Sequence, residues 1–91
     1  MLVGTVIGKV WATRKEENLI GLKYLFVQPE LPSGAPILSL FIAVDRIGAG
    51  VGDKVMVTRG SAAANIIGDH RMPIDAVIIG IIDSIDVEGG A

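Results

Sequence analysis

Three aspartates are the residues whose type could support acid–base chemistry in this chain. Asp45, Asp75 and Asp83 could act as paired carboxylates, one as a general acid and another as a general base. Their positions in the sequence fix no separation between them and place no oriented nucleophile beside them. We therefore predict that Asp45 bonds the backbone of a turn, and that Asp75 and Asp83 are polar groups at an edge or an interface.

The single histidine, His70, is the other residue that could hold a ligand. The chain has no cysteine, and one imidazole without spaced partners does not form a zinc site, so we expect His70 in a solvated loop. The glycine-rich range 48–52 is not a dinucleotide fingerprint, because it precedes a strand and not a helix. The sequence thus predicts no catalytic residue, no metal and no cofactor, and the protein is not expected to be an enzyme.

The elements that would position these residues are organised around the same glycine-rich range. Three glycines in the five positions 48–52 predict a tight corner with positive φ angles. The range 54–59 is rich in β-branched residues and predicts a strand, which the pair Gly60 and Ser61 ends. A short helix is expected over 62–67, with Ser61 as its N-cap.

Four further strands are predicted from alternating or continuous apolar residues. They cover Leu2–Ala12, Gly21–Gln28, Ile37–Asp45 and Asp75–Val87. Gly4 and Gly8 in the first strand indicate a bend or a bulge, and Pro29 is expected to end the second strand. Five short strands with one small helix before the last strand predict an all-β fold, a small closed or partly open barrel that forms one domain over residues 1–91.

Composition adds an expectation about assembly. Hydrophobic residues make up 51% of the 91 residues, and the mean hydropathy is +0.59. A domain of this size buries only about 60 to 65% of the surface of its unfolded chain, so part of the apolar excess is expected between subunits. The longest apolar run, 76–82, is too short to span a membrane, and no signal peptide is recognisable.

Charge and cysteine content exclude some partners and favour a compartment. The formal net charge is −2 and the isoelectric point is near 5.1, which argues against nucleic acid, since its binding draws on clustered Lys and Arg. The absence of cysteine fits a reducing cytoplasm.

The corner and the segments after it resemble the shell vertex proteins of bacterial microcompartments, the family that includes the carboxysome and ethanolamine-utilisation pentamers. The matching residues are Ala43, Asp45, Gly48, Ala49, Gly50, Gly52, Asp53, Val55, Val57, Gly60, Ser61, Ala62 and Ala63. The ranges 8–15, 19–28 and 73–83 are similar to the family's first, second and last strand motifs in the right order. Ala64 departs from the pattern, since the family usually has arginine there, and the chain stops at Ala91 where many relatives continue.

This resemblance implies a five-stranded, OB-like barrel that assembles as a ring of five at the corners of a polyhedral shell in the bacterial cytoplasm. Its implied partners are further copies of itself, as a homopentamer, and hexameric shell proteins. Six small residues would lie near the five-fold axis or its pore and in subunit contacts: Gly48, Ala49, Gly50, Gly60, Ser61 and Ala62. The other interpretation of these residues is that they form ordinary barrel turns.

Two other functional classes are left open by the residues alone. An OB-fold module could bind a small ligand or an oligonucleotide on an aromatic and basic face, although the chain has only four aromatic residues and a net negative charge. A small enzyme is the second alternative, and it lacks a credible catalytic constellation. A pentamer is required only if the protein is a shell vertex protein.

Overall fold

The fold is a closed β-barrel with one helix on its outer side. A computed structural model describes residues 1–13, 15, 17–19, 21–68 and 73–88. Its elements are β1 (Leu2–Val10), a 3-10 turn (Glu17–Leu19), β2 (Lys23–Pro29), β3 (Phe41–Asp45), β4 (Lys54–Arg59), α1 (Ser61–Ile67) and β5 (Ala76–Ile81). The predicted all-β class, the five-stranded barrel and the helix between the fourth and fifth strands are confirmed.

The strands follow each other around the barrel in the order β1-β2-β3-β5-β4, and β4 pairs with β1 to close it. All neighbours are antiparallel except β3 and β5, which are parallel over two residue pairs. Alternate residues therefore point inward, and the interior is filled by small and medium apolar side chains. They are Val6, Leu25, Val27, Ala43, Ala49, Val55, Val57, Ala76 and Ile78.

A second apolar cluster lies outside the barrel wall, beneath α1. Val44 and Val77 lie next to each other on neighbouring strands and pack with Ala63 of the helix and with Ile74. The helix is only seven residues long, so its stability comes from this apolar contact more than from its own hydrogen bonds. This cluster fixes where β4 ends and β5 begins.

The two glycines of β1 do different things. The β1–β2 register shifts between Val6 and Gly8, which confirms the bulge predicted there. Gly4 instead marks a close approach of two strands, because a Cβ atom at this position would lie 2.5 Å from the carbonyl oxygen of Gln28.

The predicted bounds of β4 are confirmed, and the other strands differ. β1 ends at Val10 and not at Ala12, while β2 begins two residues after the predicted start. β2 extends one residue beyond its predicted end at Gln28 and includes Pro29. This proline is the last residue of the strand, because its carbonyl oxygen still accepts a hydrogen bond from the backbone of Ile37 at 2.9 Å.

The third and fifth strands are shorter than predicted. β3 begins at Phe41 and not at Ile37, because Leu38 adopts a φ of 60° that breaks the extended backbone. β5 ends at Ile81 and not at Val87. Its last bond to β4 joins the amide of Ile82 to the carbonyl of Lys54, where β4 begins.

Some sequence predictions fall on residues outside the described ranges. His70 belongs to this group, and so does the side chain of Ala64. In the described part of the chain, no helix is long and apolar enough to cross a membrane.

Candidate functional site

The glycine-rich corner joins β3 to β4 and is held at its start by Asp45. One carboxylate oxygen of this buried residue accepts a hydrogen bond from the backbone amide of Ile47 at 3.1 Å, as the sequence predicted. The other oxygen lies 3.2 Å from Nζ of Lys23 on β2 and forms an ion pair without a hydrogen bond. Lys23 also donates to the carbonyl of Ala49, so one lysine holds both the entry and the middle of the corner.

The far half of the corner is tied to β1 and to itself. Oδ2 of Asp53 accepts a hydrogen bond from the amide of Gly50 at 2.9 Å. The amide of Gly52 donates to the carbonyl of Val6 at 2.8 Å, and the amide of Val6 donates to the carbonyl of Asp53 at 3.0 Å. These bonds extend the β1 ladder into the corner and keep its backbone in one conformation.

The corner needs glycine for two different reasons. Gly48 and Gly52 have φ angles of 93° and 95°, which side-chain-bearing residues rarely adopt. Gly50 does not have a positive φ, so the expectation that all three glycines supply one is wrong for this residue. A Cβ atom at Gly50 would meet only Oδ2 of Asp53, at 3.9 Å.

Ala49 closes one end of the barrel. Its side chain is buried and packs in the same cluster as Val6, Leu25 and Val27. The methyl group therefore belongs to the core of its own subunit. The residue as a whole is 1% exposed and its carbonyl accepts from Lys23, so the protomer leaves neither its methyl group nor its backbone accessible for a contact with another subunit or with a pore.

The second group of predicted site residues lies at the other end of β4. Gly60, Ser61 and Ala62 are exposed, and the amide of Gly60 donates to the carbonyl of Asp75 at 2.8 Å. The helix begins at Ser61, one residue before the predicted start, so Gly60 and not Ser61 precedes it. Six strand residues at about 3.3 Å each separate this group from the corner, so the protomer does not bring the two groups together.

The three aspartates have different surroundings. Asp45 is paired with Lys23, whereas Asp75 is exposed and lies 3.7 Å from Nη2 of Arg59. Asp83 is exposed beyond the end of β5. Among the described residues, no group of three or more His, Cys, Asp or Glu side chains could hold a metal ion.

A second ion pair, which the sequence interpretation missed, holds the exit of the corner. Nζ of Lys54 lies 3.1 Å from Oε1 of Glu30, and the hydroxyl of Thr5 donates to the same oxygen. The hydrogen bond from Thr5, assisted by Lys54, lowers the pKa of the Glu30 carboxyl below its usual value, although partial burial opposes this shift. Thr5 and Lys54 lie directly opposite each other in the β1–β4 register. Pairing these two strands in the sequence would have indicated this contact.

The outer surface carries apolar side chains that the protomer leaves uncovered. Trp11 is 88% exposed in the protomer. Other large exposed apolar residues include Ile7, Leu38, Leu40, Ile42 and Met56. A small monomer rarely leaves so many apolar groups in water, and exposed apolar patches mark contact surfaces.

The fold and this surface together define a class of protein. It is a small closed β-barrel subunit with a rigidly tied corner, apolar outer walls and no metal-binding group among its described residues. Residues 1–83 match the family described as ethanolamine utilisation protein EutN/carboxysome, and the chain belongs to this family.

Relatives in sequence and structure extend over nearly the whole chain. The carboxysome shell vertex protein CcmL of Gloeobacter violaceus is 40% identical over 88 residues, which are 97% of this chain and 88% of that protein. The solved structure of Gloeobacter violaceus CcmL has a TM-score of 0.87, covering 97% of this chain and 91% of that one. The GrpN pentameric microcompartment shell protein from Rhodospirillum rubrum has a TM-score of 0.85 at 38% identity, covering 96% of this chain and 99% of that one.

Proposed function

We propose that this protein is a shell vertex protein of a bacterial microcompartment. Five copies form a ring, and the ring occupies a corner of a polyhedral shell in the bacterial cytoplasm. The observation that carries this proposal is the match of fold and sequence, along nearly the whole chain, to proteins named as shell vertex proteins and as a pentameric shell protein. The whole chain, residues 1–91, would act as one barrel domain.

The geometry of a closed shell explains why such a subunit is needed. Hexagonal tiles form a flat sheet, and a flat sheet closes into a polyhedron only when five-fold units occupy its corners. The partners of the ring would therefore be hexameric shell proteins. A ring also requires two different patches on each subunit, since a heterologous contact closes after five copies when the rotation is 72°.

The small residues at the two ends of β4 are the proposed axis or subunit-contact group. Gly48, Gly50, Gly60, Ser61 and Ala62 have no bulky side chain, so neighbouring backbones can approach closely at these positions. Ala49 would contribute only by holding the corner from inside the barrel, since the whole residue is buried. If both groups line the axis, β4 runs along it, because the groups flank this strand.

The proposed role is structural and involves neither catalysis nor nucleic acid. The carboxylates of the described residues are tied to lysine, arginine or the backbone, or lie alone on the surface. A net charge of −2 adds no attraction to a polyanion. A structural subunit needs neither property.

Native mass spectrometry of the purified protein over a range of concentrations tests this function. We expect a stable particle of five 9.5-kDa chains, about 47 kDa. A monomer or a dimer that persists at all concentrations would contradict the ring. It would favour the ligand-binding barrel instead.

A further inference from the structure

A basic pocket lies at the base of the connection between β1 and β2 and is here called the lysine pocket. It has a volume of about 370 Å³ and is lined by Lys9, Trp11, Lys15, Lys23 and Tyr24, among other residues. None of the described residues that line it is acidic. Three of the eight lysine and arginine residues of the chain thus meet at one cavity, whose volume is in the range of small-molecule sites.

The strand register places two of these lysines at one mouth of the barrel. Lys9 lies opposite Leu25 in the β1–β2 ladder, and Leu25 is fully buried in the core. Opposite residues lie on the same side of a sheet, so Lys9 is on the inner side of the barrel wall. Lys9 is exposed all the same, and its side chain therefore lies where the barrel opens. Lys23 is on the same side, two positions before Leu25, and bonds the corner that covers this mouth through the carbonyl of Ala49.

Two of the three ammonium groups keep a charge that no described carboxylate compensates. Lys23 is paired with Asp45. Lys15 donates to a neutral group, the carbonyl of Ala12, at 2.7 Å, and the ion pairs of the described residues include neither Lys9 nor Lys15. An anion in the pocket is close to these two charges, whereas charges more than about 8 Å away are largely screened at physiological salt. The net charge of −2 therefore does not oppose a small anion here, although it opposes a long polyanion.

Trp11 supplies a flat aromatic face beside these charges. It is the only tryptophan of the chain and is 88% exposed, so it adds little to the core. In the sequence it lies two positions after Lys9, and it directly precedes Ala12, whose carbonyl accepts from Lys15. A face that stacks a planar ring, with cations beside it to bind phosphate, is the combination by which proteins hold nucleotides without reading the base.

A second cavity, which is mostly apolar, adjoins the lysine pocket. Its volume is about 290 Å³, and the two cavities share Lys15 and Tyr24 among their lining residues. Its lining also includes Val44 of β3 and Ile74 of the segment before β5. The hydroxyl of Tyr24 donates to the carbonyl of Leu19, which fixes the ring that lines both cavities. In small barrels with this strand order, the β2–β3 face and the loops after β1 and β4 are where ligands bind.

We propose that the lysine pocket binds a mononucleotide, that is, a planar base that carries a phosphate group. The base stacks on the indole of Trp11, and the phosphate is bound by the ammonium groups of Lys9 and Lys15. Lys23 remains paired with Asp45. This binding is a second property of the subunit beside the proposed vertex role, and it does not depend on the ring.

Fluorescence of Trp11 reports binding directly, because the chain has no other tryptophan. Adenosine 5′-monophosphate is titrated into the purified protein, and the indole is excited at wavelengths that adenine does not absorb. We expect saturable quenching with a Kd of about 1 mM or tighter. Adenosine, which lacks the phosphate, and inorganic phosphate, which lacks the base and is measured by competition, should each bind at least about tenfold more weakly.

Glutamine substitutions at the two lysines separate the charge from the stacking. Lys9→Gln and Lys15→Gln should each raise the Kd for adenosine 5′-monophosphate by at least about fivefold and leave the weak binding of adenosine unchanged. Lys54→Gln is the matched control, because Lys54 lies opposite Thr5, about 13 Å along β1 from Lys9. It removes the same charge and should leave the Kd unchanged. Circular dichroism checks that all three variants are folded.

Trp11→Ala, measured by isothermal titration calorimetry, tests the stacking face. This variant should show no detectable binding of adenosine 5′-monophosphate and should keep the native mass of the wild type. A wild type without saturable quenching, equal affinity for adenosine or for phosphate, or an unchanged Kd in the two lysine variants would overturn the inference. An altered native mass of Trp11→Ala would assign the indole to a subunit contact and would overturn it as well. The native mass of the wild type judges the vertex role separately, so either proposal can fail without the other.

Discussion

The two glycine- and alanine-rich segments at the ends of β4 look alike in sequence and are held very differently. The corner between Asp45 and Asp53 is fixed by Lys23, by two aspartates and by backbone bonds to β1, and its alanine fills the barrel core. In the segment from Gly60 to Ala62, the backbone of Gly60 bonds to Asp75 and to Ala63, and all three residues are exposed. The first segment stabilises the fold of its own subunit. The second leaves its residues exposed, where they can contact another subunit.

This difference separates two roles that small residues can have in an assembling barrel. In the corner, small size allows positive φ angles and a buried methyl group, so substitutions should lower the free energy of unfolding. After β4, Gly60 also has a positive φ, of 72°, so a side chain there should be strained as well. Ser61 and Ala62 are exposed, so substitutions at these two positions should change stability little. Because a ring stabilises its subunits by mass action, all unfolding measurements below are made at one protomer concentration.

The largest loss is expected when the buried carboxylate of the corner loses its cation. Lys23→Met leaves the Asp45 side chain, which is 1% exposed, without its ion pair. Removing one partner of a buried ion pair lowers the free energy of unfolding by about 3 kcal/mol at the lower end of the usual range. We expect this lower value here because Lys23 is partly exposed. Urea unfolding monitored by circular dichroism measures this loss.

Two controls make this result specific. Lys9→Met removes an exposed lysine of β1 and should leave the urea midpoint unchanged. The double variant Lys23→Met with Asp45→Asn should recover part of the loss, because it removes the unpaired charge. An unchanged midpoint for Lys23→Met itself would show that the ion pair does not hold the corner.

A smaller loss is expected from a side chain at a positive φ in the corner. Gly52→Ala meets no atom within 4 Å, so its cost is the backbone strain alone, about 1–2 kcal/mol. Gly50→Ala is the matched control two residues away, where φ is not positive, and should change stability by less than about 0.5 kcal/mol. Equal thermal midpoints for the two variants would contradict the described corner.

Acid should lower the free energy of unfolding by weakening the Glu30 contacts at the exit of the corner. The pKa of Glu30 is lowered in the folded state, so its contribution to stability is present above the unfolded pKa and is lost as the pH falls through the folded pKa. Thr5→Val removes the main cause of the shift and should make stability less dependent on pH between about 5 and 3. If the stability of the wild type and of the variant changed in parallel with pH in this range, Glu30 would not be the source of the pH dependence.

The smallest effect is expected at Ser61. As an N-cap, this residue would be worth about 0.5–2 kcal/mol relative to alanine. Because the helix begins at Ser61 and Gly60 precedes it, Ser61→Ala should instead change the free energy of unfolding by less than about 0.5 kcal/mol. A loss above 1 kcal/mol would show that the serine caps the helix after all.

Local patterns predicted the parts of the fold that local chemistry determines. The β-branched run of β4, the bulge at Gly8 and the Asp45 turn bond all depend on neighbours within a few residues, and all three are confirmed. The corner was also placed correctly between two strands. The start of the helix was wrong by one residue, since Ser61 and Gly60 can both precede a helix.

The remaining features depend on pairing between distant residues. Lys23 and Asp45 are 22 positions apart, and only the β2–β3 register brings them together. The positive φ of Leu38, which shortens β3, has no signature in residue type, because leucine rarely adopts it. The exposed apolar outer faces likewise require the strand order, since alternation alone does not say which outer faces the protomer leaves uncovered.

The most direct test of the vertex role is electron cryomicroscopy of shells assembled from a hexameric shell protein with and without this chain. We predict closed polyhedra with a five-fold ring of this chain at each corner when it is present, and sheets, tubes or shells with open corners when it is absent. Closed corners in its absence, or density for this chain within the flat facets, would contradict the account.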